Sequence, residues 1–350
     1  MLTLLALAAF AADEAPPLAI AAPAPPPVAT LPAAPARPPG DEEAVGFRVT
    51  VVPGVGIEAA PDRVVDGFSV GFVGHARSID GMEAQLVSLV SERMDGLQVG
   101  MVTLAGQVDG LQLSSALAMV DGDVDAVQAA AGAAIAGGTV NGVQAAGGVA
   151  IAEGIDGVQI APVTVAQTVK GAQAGLLNVG GDVDGLQIGL VNVARTSKVS
   201  IAPINLIGDG LHRVDVWTSD SAVASGALKL GSKQVYTLLG AGWVGLDQPW
   251  WTFGGGFGVH LQKQRLWVEL DDSVWGLASG VVLAPGVHNK LRMQVGLDLA
   301  ERHLAPFVGV SVNTWVGTGR IWPRAVDLPQ RISPDRRVAT WPGVHAGVSF

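Results

Sequence analysis

Between Ser69 and Ser200 one motif recurs ten times, and this repeat restricts the fold more than any other feature of the chain. Its clearest copy is Val183-Asp-Gly-Leu-Gln-Ile-Gly-Leu-Val-Asn-Val-Ala194. Aligned on the Gln, the copies fall at Ser69, Glu83, Gln98, Gln112, Gln128, Gln144, Gln159, Gln173, Gln187 and Ser200, spaced 13–16 residues apart. A unit this short cannot bury a face alone, so its copies must stack. Length varies between the Ala and the next Val-Asp-Gly, and that segment reads as a loop. A nine-residue strand would cover about 30 Å, whereas a five-residue return spans at most about 17 Å, so one long strand per turn cannot close. Two geometries remain. Either each unit bends near Gly189 into two short strands of a narrow parallel β-solenoid, or the units are antiparallel strands of one larger barrel or sheet.

The identity of the recurring residues favours the solenoid. In parallel coils identical residues stack at strand spacing, so Gln98, Gln112, Gln128, Gln144, Gln159, Gln173 and Gln187 would form an amide ladder. Asn178, Asn192 and Asn205 would form a second, with Asp-Gly at each turn. Antiparallel strands would leave the recurrence without a reason. The apolar stretch 127–152 reads as further repeats rather than a membrane helix, because Gln128, Asn141 and Gln144 interrupt it.

Composition divides the rest of the chain. Residues 2–10 are an apolar run followed by Ala9-Phe10-Ala11, the pattern of a secretory signal, and we assign 1–12 to it. The run is too short to span a bilayer, which needs about 20 residues. Ten of the 21 prolines lie between Pro16 and Pro39, so 13–45 reads as a semi-rigid Ala/Pro-rich linker. The repeat domain is then 46–210 and a C-terminal domain 211–350. With no Cys, the chain cannot be a disulfide scaffold, a thiolate metal site or a Cys nucleophile. A net charge of −10 argues against nucleic acid as a partner.

From Leu211 the pattern changes to long alternating segments. Leu291, Met293, Val295, Leu297 and Leu299 share one face, opposite Lys290, Arg292, Gln294 and Asp298. Trp251, Phe253, Phe257, Val259 and Leu261 oppose Thr252, the intervening glycines and His260. Eight strands are predicted, at 212–218, 222–230, 234–243, 250–262, 265–275, 290–300, 304–316 and 341–350. Their lengths suit membrane-crossing strands of about 9–11 residues, and the connections after strands two, four and six are short. Those after strands five and seven are long, at 14 and 24 residues. Trp243, Trp250, Trp251, Trp275, Trp315 and Trp341 fall at strand ends, where an aromatic belt would sit. The expectation is an all-β chain: solenoid, then an antiparallel eight-stranded barrel of outer-membrane type.

Gly185-Leu-Gln-Ile-Gly-Leu-Val-Asn-Val-Ala194, followed by Ala202-Pro-Ile-Asn-Leu-Ile207 and Gln234-Val-Tyr-Thr-Leu-Leu-Gly-Ala-Gly-Trp243, resembles the surface repeat-containing proteins of Leptospira and Bacteroides-type bacteria. The resemblance spans about residues 65–315. It is specific in the repeats and looser in the barrel, and the Ala-rich middle units depart from the family pattern. It implies an envelope or surface location and gives no established biochemical activity to carry over. The terminal Phe350 similarly resembles the final aromatic that the barrel assembly machinery recognises in outer-membrane proteins.

No Ser elbow, His-Glu-x-x-His, phosphate loop or dinucleotide fingerprint is present, and no cofactor or metal is expected. His260, Glu269, Asp271, Arg292, Asp298 and His345 are predicted to face the barrel lumen. Such a group could catalyse hydrolysis, but small barrels fill their interiors with polar networks in any case. The segment 317–340 carries Arg320, Arg324, Arg331, Arg336 and Arg337, a set that could contact lipopolysaccharide phosphates. Asp95, Asp109, Asp125, Asp156 and Asp184 read as turn residues rather than calcium ligands. The sequence thus points to a non-enzymatic outer-membrane or cell-envelope repeat protein, structural or adhesive, anchored by its barrel. Its expected partners are outer-membrane lipid, the assembly machinery, and lipopolysaccharide or a host or cell-surface ligand. Short-turn placement puts the repeats in the periplasm, whereas the family resemblance puts them at the surface. A barrel hydrolase using lumenal carboxylates and histidines is the alternative. A small pore is third, disfavoured because side chains fill an eight-stranded interior.

Overall fold

The computed structural model describes residues 44–57, 60, 63–245, 250–279, 282–283, 286–299, 304–317, 331–333 and 337–350. The signal and most of the linker expected from the sequence lie outside the described residues. All regular structure among them is β. The chain forms two compact units, one holding the repeats through Gly185 with Val193–Thr196, the other holding Leu186–Asn192 and Ser197–Phe350.

The repeat unit is a parallel β-solenoid. Each turn returns to the same register, with Asp66 opposite Asp80 and Asp109, Asp125, Asn141 and Asp156 in successive turns. Val45–Val52 adds a further parallel turn that places Arg48 beside Ser69, and Val55–Ile57 closes the edge antiparallel. The bend between the two strands of a unit falls at 147–148, 161–162 and 175–176, two to four residues beyond the Gln.

The expected loop between units is largely absent. Ser78–Val120 continues as one extended strand through several turns, because short coils corner without leaving the ladder. Extra residues appear as bends in two places, at this edge (121–123, 137–138) and at the opposite tip (131–132, 147–148). Corners inside a ladder need an unusual backbone, and the Asp-Gly pair supplies it. Gly81, Gly96, Gly110, Gly142 and Gly157 have φ between +118° and +144°, a region closed to most L-residues. Ala126 occupies the equivalent position at φ +106°.

The C-terminal unit holds a closed antiparallel barrel of eight strands. These are β1 (Leu211–Ser219), β2 (Ala222–Gly231), β3 (Val235–Trp243), β4 (Trp250–Lys263), β5 (Leu266–Ser279), β6 (Gly286–Leu297), β7 (Ala305–Gly317) and β8 (Val338–Ser349). Successive strands pair, and β1 meets β8 with Asp215 opposite Ser349 and Ser219 opposite His345. Two bounds differ by four residues from the sequence reading, and the others by three or fewer. β5 runs four residues past Trp275 because Leu277 pairs with Thr252 of β4, and β6 begins at Gly286 because it pairs with Gly317 of β7. The connection between them is therefore 280–285 rather than 14 residues long.

The barrel is apolar outside and polar inside. Trp251, Phe253, Phe257, Leu270, Met293 and Val308 are exposed, while Lys229, Glu269, Asp271, Arg292 and Gln294 are buried. The expected aromatic belt is not what most of the tryptophans make. Trp217, Trp267, Trp275, Trp315 and Trp341 are at most 3% exposed and pack inside the barrel. Alternation explains this: Trp267 and Trp275 share the parity of Glu269 and Asp271 along β5, so they point where the carboxylates point. Trp243 and Trp250 are half-buried, and Trp251 alone of the described tryptophans faces outward with more than half its surface open.

The corner geometry makes a reciprocal prediction. Gly142→Ala would place a Cβ 2.2 Å from the Ala126 carbonyl oxygen; with the cost of positive φ, it should lower stability by more than about 2 kcal/mol. Ala126→Gly relieves that cost and is expected to be neutral or to stabilise by up to about 1 kcal/mol. Thermal unfolding of the two full-length variants checks both signs.

Candidate functional site

The buried spine of the solenoid is an amide ladder. Gln112 Nε2 donates to Gln98 Oε1 at 3.0 Å, Gln128 to Gln112 at 3.0 Å and Gln144 to Gln128 at 2.8 Å. Gln159 donates to Gln144 at 2.7 Å and Gln173 to Gln159 at 2.8 Å. Each of these side chains is fully buried, and several also donate to a carbonyl across the thin core, as Gln144 does to Ile151 O at 2.9 Å. The polar row on the other strand is mixed: Thr164 Oγ1 donates to Asn178 Oδ1 at 2.7 Å. Next to the barrel, buried Gln187 offers its backbone carbonyl to Asn192 Nδ2 at 3.2 Å, and Asn192 also donates to Asn205 Oδ1 at 3.2 Å.

At the other end the ladder becomes charged. Glu83 Oε1 accepts from Gln85 Nε2 at 2.8 Å, and Oε2 accepts from Ser88 and from Gln98 Nε2 at 3.3 Å. Burial outweighs these bonds and raises the Glu83 carboxyl above its ordinary value. Arg48, wholly buried beside Ser69, donates from Nη2 to His75 O at 2.5 Å, and desolvation lowers its guanidinium. Sequence reasoning missed Arg48 because it lies outside the ten spaced copies; its signal is a charge within the alternating run Gly46–Val51.

In the barrel, five of the six predicted lumenal residues lie inside. Arg292 grips Asp271 with two bonds, Nε to Oδ1 at 2.8 Å and Nη2 to Oδ2 at 3.1 Å, and Tyr236 OH donates to Oδ2 at 3.0 Å. Glu269 is held by Lys229, by His260 Nδ1 at 2.8 Å and by Gln294 Nε2 at 2.5 Å. Lys229 also forms an ion pair with Asp215, and His345 Nε2 meets Gln294 Oε1 at 3.2 Å. Asp298 is the exception. It sits at the rim, with 30% of its side chain exposed, where it accepts from Arg213, Gln262 and Trp267. Lys229, Asp215 and Tyr236 share the inward parity of the predicted cluster, and barrel closure brings them to it.

The interior tryptophans complete the cation sites. The Arg292 guanidinium lies 4.7 Å from the Trp217 ring centre, and Lys290 Nζ lies 5.6 Å from that of Trp275. Lys290 Nζ donates to Ser221 Oγ at 2.7 Å. Asp215, Glu269 and Asp271 thus each face a cation in a packed space, while Asp220 accepts from Trp341 Nε1 at 2.8 Å and Val344 N at 3.1 Å and lines a cavity with Ser219 and His345.

Among the other predicted residues, Phe350 is 56% exposed and joins β1 through Phe350 N to Val214 O at 2.9 Å and Val214 N to Phe350 O at 3.1 Å. Asp95 and Asp109 flank Arg93, at 3.8 and 2.8 Å. Asp125 accepts from Asn141 at 2.7 Å. Asp182, at the same edge, is held below the usual carboxylate range by its bonds from Arg195. Arg331 and Arg337 are exposed, whereas Arg320, Arg324 and Arg336 lie outside the described residues. No protein-family profile, curated protein or solved structure matches this chain.

Two predictions follow from these buried charges. Because the folded-state pKa of Glu83 is raised, the folded repeat unit binds that proton more tightly than the unfolded chain. Its contribution is therefore full below the unfolded carboxylate value of about 4.3 and is lost as pH rises through the folded value. Glu83→Gln should abolish that decline, which thermal unfolding across a pH series would show. Lys229→Met leaves Asp215 and Glu269 buried without their shared cation and should destabilise the barrel by about 3–5 kcal/mol. The interior tryptophans report that unfolding by fluorescence in detergent.

Proposed function

We propose that this chain is a non-enzymatic repeat protein of a bacterial outer membrane, in which the barrel is the anchor and the solenoid is the working surface. The observation that carries this reading is the barrel's inverted partition. A barrel in water would hide Phe253, Phe257, Leu270 and Met293; here they are 47–51% exposed while Lys229, Glu269 and Arg292 are at most 2% exposed. Hydrocarbon outside and a satisfied polar network inside is the arrangement a lipid-embedded barrel requires.

Connection lengths give the orientation. The connections 232–234, 264–265 and 298–304 join strands at the barrel end that carries Leu211 and Phe350; 220–221, 244–249, 280–285 and 318–337 join them at the other, and 318–337 is by far the longest. Outer-membrane barrels keep their shorter turns on the periplasmic side. The chain therefore enters the barrel from the periplasm, and the role is structural or adhesive within the envelope. Mutual pairing of the interior carboxylates and cations supports a structural network over a hydrolase. The filled interior speaks against a pore.

Two measurements test this. Full-length protein should partition with membranes and show heat-modifiable migration in detergent; a folded monomer needing no detergent would overturn the anchor. The chain lacks cysteine, so Arg331→Cys and Gln107→Cys provide unique thiols. On intact cells a membrane-impermeant maleimide should label the first, and the second only after the outer membrane is permeabilised. Labelling of Gln107→Cys on intact cells would overturn the periplasmic placement.

A further inference from the structure

We propose that the repeat unit pairs with a second copy of itself: its outward apolar face packs antiparallel against the same face of another chain. This goes beyond the anchoring role and rests on the reading that the repeats stand in periplasmic water, which the experiment below tests separately.

The face lies wholly within the repeat unit. In each coil the residue before the Gln, or before its Ser or Glu equivalent, points outward, as do those one and three beyond it. From the coil of Ser69 to that of Gln173 these twenty-four positions hold no charged residue, and Ser115 is their one hydroxyl. Among them Phe72, Leu86, Met101, Leu113, Ile160 and Leu176 are 37–65% exposed. Eight coils at about 4.8 Å, each offering about six residues of strand, make a face on the order of 750 Å². A standard interface takes about 800 Å² from each partner, and soluble monomers rarely leave that much contiguous apolar surface open. The backbone beneath the face is paired coil to coil, so covering it strands no backbone donor.

The order of side-chain sizes along the face identifies the occupant. Leu113, Ala129, Ala145 and Ile160 are register partners in successive coils. A groove of about 450 Å³ crosses this row, with Ala129, Ala131, Ala145 and Gly147 between Val99 and Leu113 on one side and Ile160 on the other. Ridge and groove match each other under a two-fold axis lying along the strands, between the coils of Gln112 and Gln128. That axis sets Leu113 of one copy over Ala129 of the other, Val99 over Ala145 and Met101 over Gly147. Farther along, Ile160 meets Ala84. Each pairing is reciprocal, as an isologous dimer requires. Each also sets a large side chain on a small residue, so the two ridges fill the two grooves at the density of a protein interior. Parallel coils would instead set groove against groove and leave both without contacts. Lipid would cover an apolar face whatever its order of sizes, whereas this order is complementary to itself.

Cross-linking of the full chain tests this, since the chain has no cysteine of its own. Val99 and Ala145 lie three coils apart, about 14 Å, whereas the Cα atoms of a disulfide lie within about 6.8 Å. A bond between these positions therefore reports a second copy. The double variant Val99→Cys/Ala145→Cys is reconstituted in phosphatidylcholine vesicles and oxidised, and only preparations with the parent protein's heat-modifiable migration are read. The expected result is a covalent dimer from the double variant and none from either single variant. Adding Leu113→Glu, which puts a carboxylate into the groove of the other copy, should reduce that dimer at least about tenfold. A fluorophore on Met101→Cys should remain unquenched by nitroxide-labelled lipid. No covalent dimer, with the Met101 label unquenched, overturns the inference and leaves the periplasmic placement standing. Quenching at Met101 assigns the face to lipid and overturns both. A covalent dimer from Val99→Cys alone, or one undiminished by Leu113→Glu, overturns the antiparallel pairing and with it the inference.

Discussion

A primary amide has its donor and acceptor on one planar group, so a buried glutamine satisfies both by receiving a hydrogen bond on one side and passing one on. Stacked at strand spacing, each Gln here meets that condition through its neighbour, from Gln98 to Gln173. The rest of the repeat unit depends on it. The ladder holds the register, because a one-residue slip would turn every amide outward. The narrow core beside it mixes sizes: Ala118, Ala134 and Ala150 are wholly buried, as is Met94, and Ile79 and Ile155 are nearly so. Further large apolar residues, such as Phe72 and Leu86, stand on the outer faces.

The barrel solves the same problem with charges. Its buried carboxylates carry no donor, so each needs cations or hydroxyls aimed at it. Asp271 has Arg292 and Tyr236; Glu269 has Lys229, His260 and Gln294. Such a network is costly to break and gains little over an apolar core, so it makes sense where the outside is apolar and the polar residues have nowhere else to go. Interior tryptophans fill the remaining space and lie over the cations. Solenoid and barrel thus both satisfy buried polar groups inside and carry large apolar side chains outside, although the solenoid also has an apolar core and an exposed acidic edge.

Much of this is legible in the sequence. Periodicity identified the repeat, the eight strands and most of the inward-facing residues. The tryptophan belt is where position and parity disagree: Trp275 lies near a strand end, yet parity puts Trp267 and Trp275 on the same face as Glu269 and Asp271. Asp298 shows the reverse: its parity is inward, but it lies one residue past Leu297, the end of β6, at the rim. Parity says which face a residue takes and not how far along the barrel axis it sits.

By itself, then, the sequence determined the all-β class, the stacking unit and the side of each strand on which a residue falls, because these follow from local spacing along one chain. Only the tertiary structure decided which inward residues meet. Lys229 reaches both Asp215 and Glu269, and Asn205 reaches Thr237, through closures between segments far apart in sequence. It also decided that the solenoid corners are extended strand rather than loop. That outcome rests on positive-φ glycines stacked over the carbonyl oxygens of the turn before, a relation between coils that no single repeat contains.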